Sequence, residues 1–155
     1  MMRKILFSMI ASLTIAGCSG SDNKKEYIDS VTYTKSLVDD YNKEYNLFST
    51  DMIESIMNDF SKVDSYRKQH QSRLLQLENK ASIAISQIDK LVSMKYKSYN
   101  MNKLFQGIRH DINDGLYLTK YERNSTLYSV KSYEIASNQL KYFEQYNFEF
   151  RRLIN

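Results

Sequence analysis

The chain has 155 residues, with no Pro, no Trp and 4 Gly; it is sized for one domain, lacks the strongest helix breaker, and is short of the turn residues that a many-stranded β fold needs. Hydrophobic residues make up 42% and charged residues 26%, a packed rather than a disordered balance. With 22 basic against 18 acidic side chains the charge is too even for nucleic-acid binding, and the single Cys allows neither an internal disulfide nor a zinc cluster.

The N-terminus opens with the basic pair Arg3-Lys4, followed by an apolar run from Ile5 and small residues up to Gly17. The apolar run is about 12 residues, whereas a bilayer span takes about 20. This is the pattern of an export signal rather than of a permanent transmembrane helix. Ile15-Ala16-Gly17-Cys18 resembles the lipobox of bacterial lipoproteins, a hydrophobic residue and two small ones before the only Cys.

That resemblance covers only the start of the chain, but it implies a sequence of events. A signal peptidase cuts between Gly17 and Cys18, the Cys18 thiol carries a diacylglyceryl group, and the new amine takes a further acyl chain such as palmitate. The membrane is then the first partner, reached through acyl chains that together anchor stably. Ser19 after the Cys resembles the class sorted to the outer membrane, facing the periplasm, in a Gram-negative cell. Removal of Arg3 and Lys4 lowers the formal net charge of +4 by two, to +2.

The chain therefore divides into a removed signal peptide (1–17), a lipidated Cys with a flexible tether of small and polar residues (18–25), and a helical bundle domain (26–155). The domain begins with Tyr27, Val31, Thr34, Val38, Tyr41, Tyr45 and Phe48, alternately 4 and 3 apart, which is a heptad seam on one helix face. Ser49-Thr50-Asp51, with Glu54 three residues after Asp51, predicts a break and a new N-cap. From there a seam runs through Ile53, Ile56, Phe60, Val63, Arg67, His70, Leu74, Leu77, Ala81, Ala84, Ile88 and Leu91. This predicts a helix of roughly 70 Å reaching Tyr99.

Asn100-Met101-Asn102 is the next expected turn. Leu104, Ile108, Ile112 and Leu116 then repeat at helical spacing. Gly115 reads either as a helix end or as a small residue at a tight helix crossing. Asn124-Ser125-Thr126 offers another cap, and the last segment carries Tyr133, Ala136, Leu140, Phe143, Asn147, Phe150 and Ile154 as its expected core face. The fold class that follows is all-α: an elongated antiparallel helical bundle, or coiled-coil hairpin, of three to four helices. The same stripes would also serve a homo-oligomer.

Few residues suggest chemistry. Arg67 and His70 interrupt a seam and are read as setting register. His110 and Asp114 share a helix face without a third ligand at metal-binding spacing, so neither a metal nor another cofactor is expected. No nucleophile elbow, P-loop or dinucleotide fingerprint occurs, so no enzyme is expected. The candidate docking patch is Lys95, Tyr96, Lys97, Tyr99 and Lys103, within a stretch free of acids from Lys90 to Arg109. Tyr142, Phe143, Tyr146, Phe148 and Phe150 crowd the C-terminal helix, mainly as core. The expectation is a non-catalytic interaction or scaffold module with a protein partner in the cell envelope. The alternative is a lipoprotein that binds an envelope polymer or small ligand through its basic, aromatic tip.

Overall fold

A computed structural model describes residues 19–56 and 58–155, with side chains from residue 21 onward apart from Met57. Gly17 and Cys18, the expected cleavage and lipidation site, lie outside the described residues. Five α-helices and one 3₁₀ turn make up the described chain, and there is no strand among the described residues. The helices are α1 (Ser19–Ile56), α2 (Val63–Gln69), α3 (Gln71–Ser93), α4 (Tyr99–Tyr121) and α5 (Ser125–Ile154), with the 3₁₀ turn at Phe60–Lys62.

Side-chain bonds fix the direction of each pair. Ser30, Asp40 and Asp51 along α1 meet Gln87, Lys80 and Arg73 along α3, so these helices are antiparallel. Asp89–Arg109 and Glu78–Lys120 set α4 antiparallel to α3. Asn100–Glu149, together with Phe105 edge-on to Tyr146, sets α5 antiparallel to α4. Asn46–Gln139 and Ser49–Tyr128 close α5 back onto α1. The protein is an up-down-up-down bundle of four long helices, with short α2 at the first corner.

The expected α1 seam is the core of the molecule. Tyr27, Val31, Thr34, Val38, Tyr41, Tyr45 and Phe48 are all buried, and Met52 and Ile56 prolong the line. Leu77, Ala81, Ala84, Ile88 and Leu91 face it from α3, and Leu104, Ile108 and Ile112 from α4. Full burial of each large side chain contributes about 1.5–3 kcal/mol. Gly115 is buried inside α4, where a Cβ would stand 2.6 Å from the Tyr41 hydroxyl and 3.0 Å from the Tyr45 ring. It is the small residue at a tight helix crossing, and α4 continues through it.

Five expectations change. The segment read as a flexible tether, residues 19–25, instead forms the first turns of α1. Once the packed turns from Tyr27 onward exist, extending a helix costs little, and Asp22 in the first turn suits the dipole. Ser49-Thr50-Asp51 does not break the chain: α1 runs through it, with Ser49 buried beside Tyr128 and Asp51 paired with Arg73. The break comes at 58–62, where Asp59 leaves the helical backbone region and accepts the Ser61 hydroxyl, a local bond that competes with helix. A second interruption at His70 separates α2 from α3, so the predicted continuous helix from Asp51 to Tyr99 is three pieces.

The last two changes concern the C-terminal half. The turn expected at 100–102 lies at 94–98, and Ser98 caps α4 by accepting from the Met101 amide. Asn124 caps α5 by accepting from the Leu127 amide at 2.9 Å, as its position in the sequence predicts. On α5, however, the buried residues are Tyr128, Ile135, Tyr146 and Leu153, not the expected Tyr133, Ala136, Leu140, Phe143 line. Ser132, Gln139 and Glu149 fill intermediate places on the inward face and bond to Ser49, Asn42 and Asn100. Polar residues therefore interrupt the true seam, and a more apolar stripe lies outside it.

Candidate functional site

The α3–α4 turn builds one candidate surface. Residues 94–98 are non-helical and alternate: Met94, Tyr96 and Ser98 are half-buried, while Lys95 and Lys97 are exposed. Extended backbone sends successive side chains to opposite sides. Tyr96 turns inward and meets Tyr27 edge-on, with ring centroids 5.5 Å apart. The Tyr27 hydroxyl donates to Asn102 Oδ1 at 2.6 Å and pins α1 to the start of α4. Its burial, opposed by a backbone hydrogen bond at Ser98, raises its pKa.

Of the five patch residues, Lys97, Tyr99 and Lys103 line one shallow groove with Asn102 and Gln106. Lys95 projects from the turn, and Tyr96 is the packed residue beneath it. Tyr99 is 78% exposed. Tyr99 also borders a second groove shared with Lys24 of α1 and Arg152 of α5. Sequence reading could not join those cations to the patch, because only the antiparallel fold brings residues 24, 97 and 152 to one end.

The outward face of α5 is a second candidate. Tyr133 is 77% and Leu140 70% exposed, and Val130, Phe143 and Phe148 also face solvent. Positions 133, 136, 140 and 143 keep the spacing of a packing seam, yet all four are exposed. Lys35 lies over the Phe143 ring at 5.4 Å, at the edge of the stripe beside α1. This is a continuous apolar line along a helix, not a scatter of single exposed residues.

Most polar residues within the bundle have structural partners, the buried Tyr45 hydroxyl and Asp111 Oδ2 being exceptions. Arg67 is buried, and its guanidinium donates to the carbonyls of Thr119 (2.6 Å), Leu118 (2.9 Å) and Glu122 (2.6 Å). It thereby caps the C-terminus of α4. His70 stacks near Tyr66 at 4.2 Å. His110 lies 3.6 Å from Asp114 on the surface, and no cluster of three metal-ligating side chains occurs among the described residues. Asp111 borders a crevice of about 30 Å³ between α1, α4 and α5. The space is water-sized, whereas small-molecule sites are roughly 300–1,000 Å³. Burial raises the Asp111 pKa, opposed by a bond from Asn138.

No helix among the described residues is long and apolar enough to cross a membrane. No family model, curated protein or solved structure matches the chain.

Proposed function

We propose that the chain is a lipid-anchored cell-envelope protein that acts without catalysis, as an interaction or scaffold module in a membrane-associated assembly. The anchoring half rests on Ile15-Ala16-Gly17-Cys18, with Cys18 as the lipid-bearing residue and the outer membrane, on its periplasmic side, as the location. The interaction half rests on one observation, the uncovered seam of α5 through Tyr133, Leu140 and Phe143. Its partner is a protein that lays an apolar helix face or groove along that line.

The test places a photo-crosslinking residue at Leu140 of the full-length protein in its native membranes. A second placement at Ile83, exposed on α3, serves as control. The proposal expects a discrete heavier adduct from position 140 alone, lost when Tyr133→Lys is added. Failure to crosslink at 140, or equal crosslinking at both positions, would remove the interaction reading. An adduct with twice the mass of the chain would make the partner a second copy.

A second reading uses the groove of Lys97, Tyr99 and Lys103 for an acidic envelope polymer. The groove supports it, but its position does not: it lies at the end of the bundle where α1 begins, next to the proposed anchor.

A further inference from the structure

The N-terminal end of the bundle gathers cations from five parts of the chain. Lys24 and Lys25 come from α1, Lys90 from the last turn of α3, and Lys95 and Lys97 from the turn that follows. Lys103 comes from the first turns of α4, and Arg151 and Arg152 from the end of α5. Acids there are Asp22, Glu26, Glu144 and Glu149, with Asp89 beside Lys90, so eight basic side chains stand against five. A molecule with a net of +2 after residue 18 therefore carries a surplus of three at one end and a small deficit elsewhere.

Pairing is fuller at the other end. At the far end Lys62, Arg73, Lys120 and Arg123 each sit on a carboxylate. Among the described residues, Lys24, Lys25, Lys95, Lys97 and Lys103 make no ion pair; at this end only Arg152 does, with Glu149 at 3.4 Å. Tyr99 projects among these cations, and Phe148 lies beneath the Arg152 guanidinium, 5.6 Å from ring centroid to carbon. Amphipathic rings beside unpaired cations are the side chains that settle at a headgroup boundary.

Position selects the occupant. Ser19, the residue after Cys18, already belongs to α1. From Ser19 to Lys24 the helix rises about 8 Å. That is comparable to the Debye length of about 8–10 Å near physiological salt, so the cations stand within electrostatic reach of whatever surface holds Cys18. We infer that this end of the bundle docks on anionic lipid headgroups, a second attachment beside the acyl chains, with Lys95, Lys97, Lys103 and Tyr99 in contact. The inference rests on the anchored reading of Cys18.

The test uses full-length protein purified from membranes and returned to vesicles of phosphatidylcholine, with or without phosphatidylglycerol. In the wild type the only thiol is that of Cys18. A maleimide-reactive thiol there would overturn the anchor itself and the inference with it. With Cys18 blocked, Tyr99→Cys and Tyr121→Cys report on the two ends of the bundle. Docking predicts that labelling of Tyr99→Cys slows about tenfold on anionic vesicles and recovers in high salt. Tyr121→Cys should label equally everywhere. Combining Lys95→Glu, Lys97→Glu and Lys103→Glu should abolish the protection.

Equal labelling of Tyr99→Cys on both vesicle types, with Cys18 blocked, would mean an anchored but undocked bundle and would overturn the inference alone. Protection that survives the three glutamates, or that occurs without vesicles, would assign this end to a protein contact and overturn it as well.

Discussion

The guanidinium of Arg67 bonds three carbonyls at the end of α4 from within the core. Its weaker contact to Asp64 is 3.3 Å. Truncation to Ala should leave those carbonyls without a donor and cost about 2–4 kcal/mol, read as a lower urea midpoint. Lys should not restore the loss, because one ammonium cannot reproduce the planar fork. Gly115→Ala should also destabilise, by about 1–3 kcal/mol of overpacking. Tyr41→Phe in the same chain should reduce that penalty by removing the hydroxyl a Cβ would meet.

Asp111 has a pH signature of its own. Its folded pKa is raised above the ordinary 3.8 by burial, so the native state holds the proton more tightly than the unfolded chain. The resulting stabilisation is complete below that ordinary value and is lost as pH climbs through the raised one. Asp111→Asn should therefore raise the thermal midpoint at neutral pH, with the gain shrinking in acid. A constant gain across that range would show that the charge is not responsible.

At the scale of the helix, legibility followed the purity of each seam. On α1 every place from Tyr27 to Phe48 is apolar except Thr34, whose hydroxyl returns to the Ser30 carbonyl. The pattern can therefore be read directly. On α5 the inward face alternates Tyr128, Ser132, Ile135, Gln139, Tyr142, Tyr146 and Glu149, and hydropathy prefers the stripe beside it. Two substitutions check the exchange. Leu140→Lys should change stability by no more than about 0.5 kcal/mol, whereas Ile135→Lys, at a buried place, should unfold the bundle or nearly so. Leu77→Pro should cost about 3 kcal/mol or more, seen as lost helical signal in circular dichroism.

The break at 58–62 was hidden for a related reason. It uses Asp59 and Ser61 rather than Gly or Pro, and the same residue types at Ser49-Thr50-Asp51 lie inside a helix. Local propensity is a weak prior, and packing decides between two similar signals. The patch from Lys95 to Lys103 could be read because it is contiguous. Its neighbours Lys24 and Arg152 could not, since their proximity belongs to the tertiary fold.

For the molecule as a whole, the proposed anchor has a simple check. Cys18→Ser should abolish incorporation of labelled lipid and release the protein from membranes; unchanged labelling would refute the anchor. No three metal-ligating side chains cluster among the described residues, so a chelator should leave the thermal midpoint of the bundle in place.

α1 is unbroken from Ser19 to Ile56, 38 residues and about 57 Å. A coil of the same few residues beside Cys18 would let the domain wander through a wide volume. A helix there acts as a ruler instead. On the anchored reading, each position on α5 then has its own altitude above the bilayer, with Phe148 low and Val130 about 27 Å higher. A partner laid along that face would be held at a fixed standoff from the membrane, and one inserted heptad in every long helix would raise it by about 10 Å.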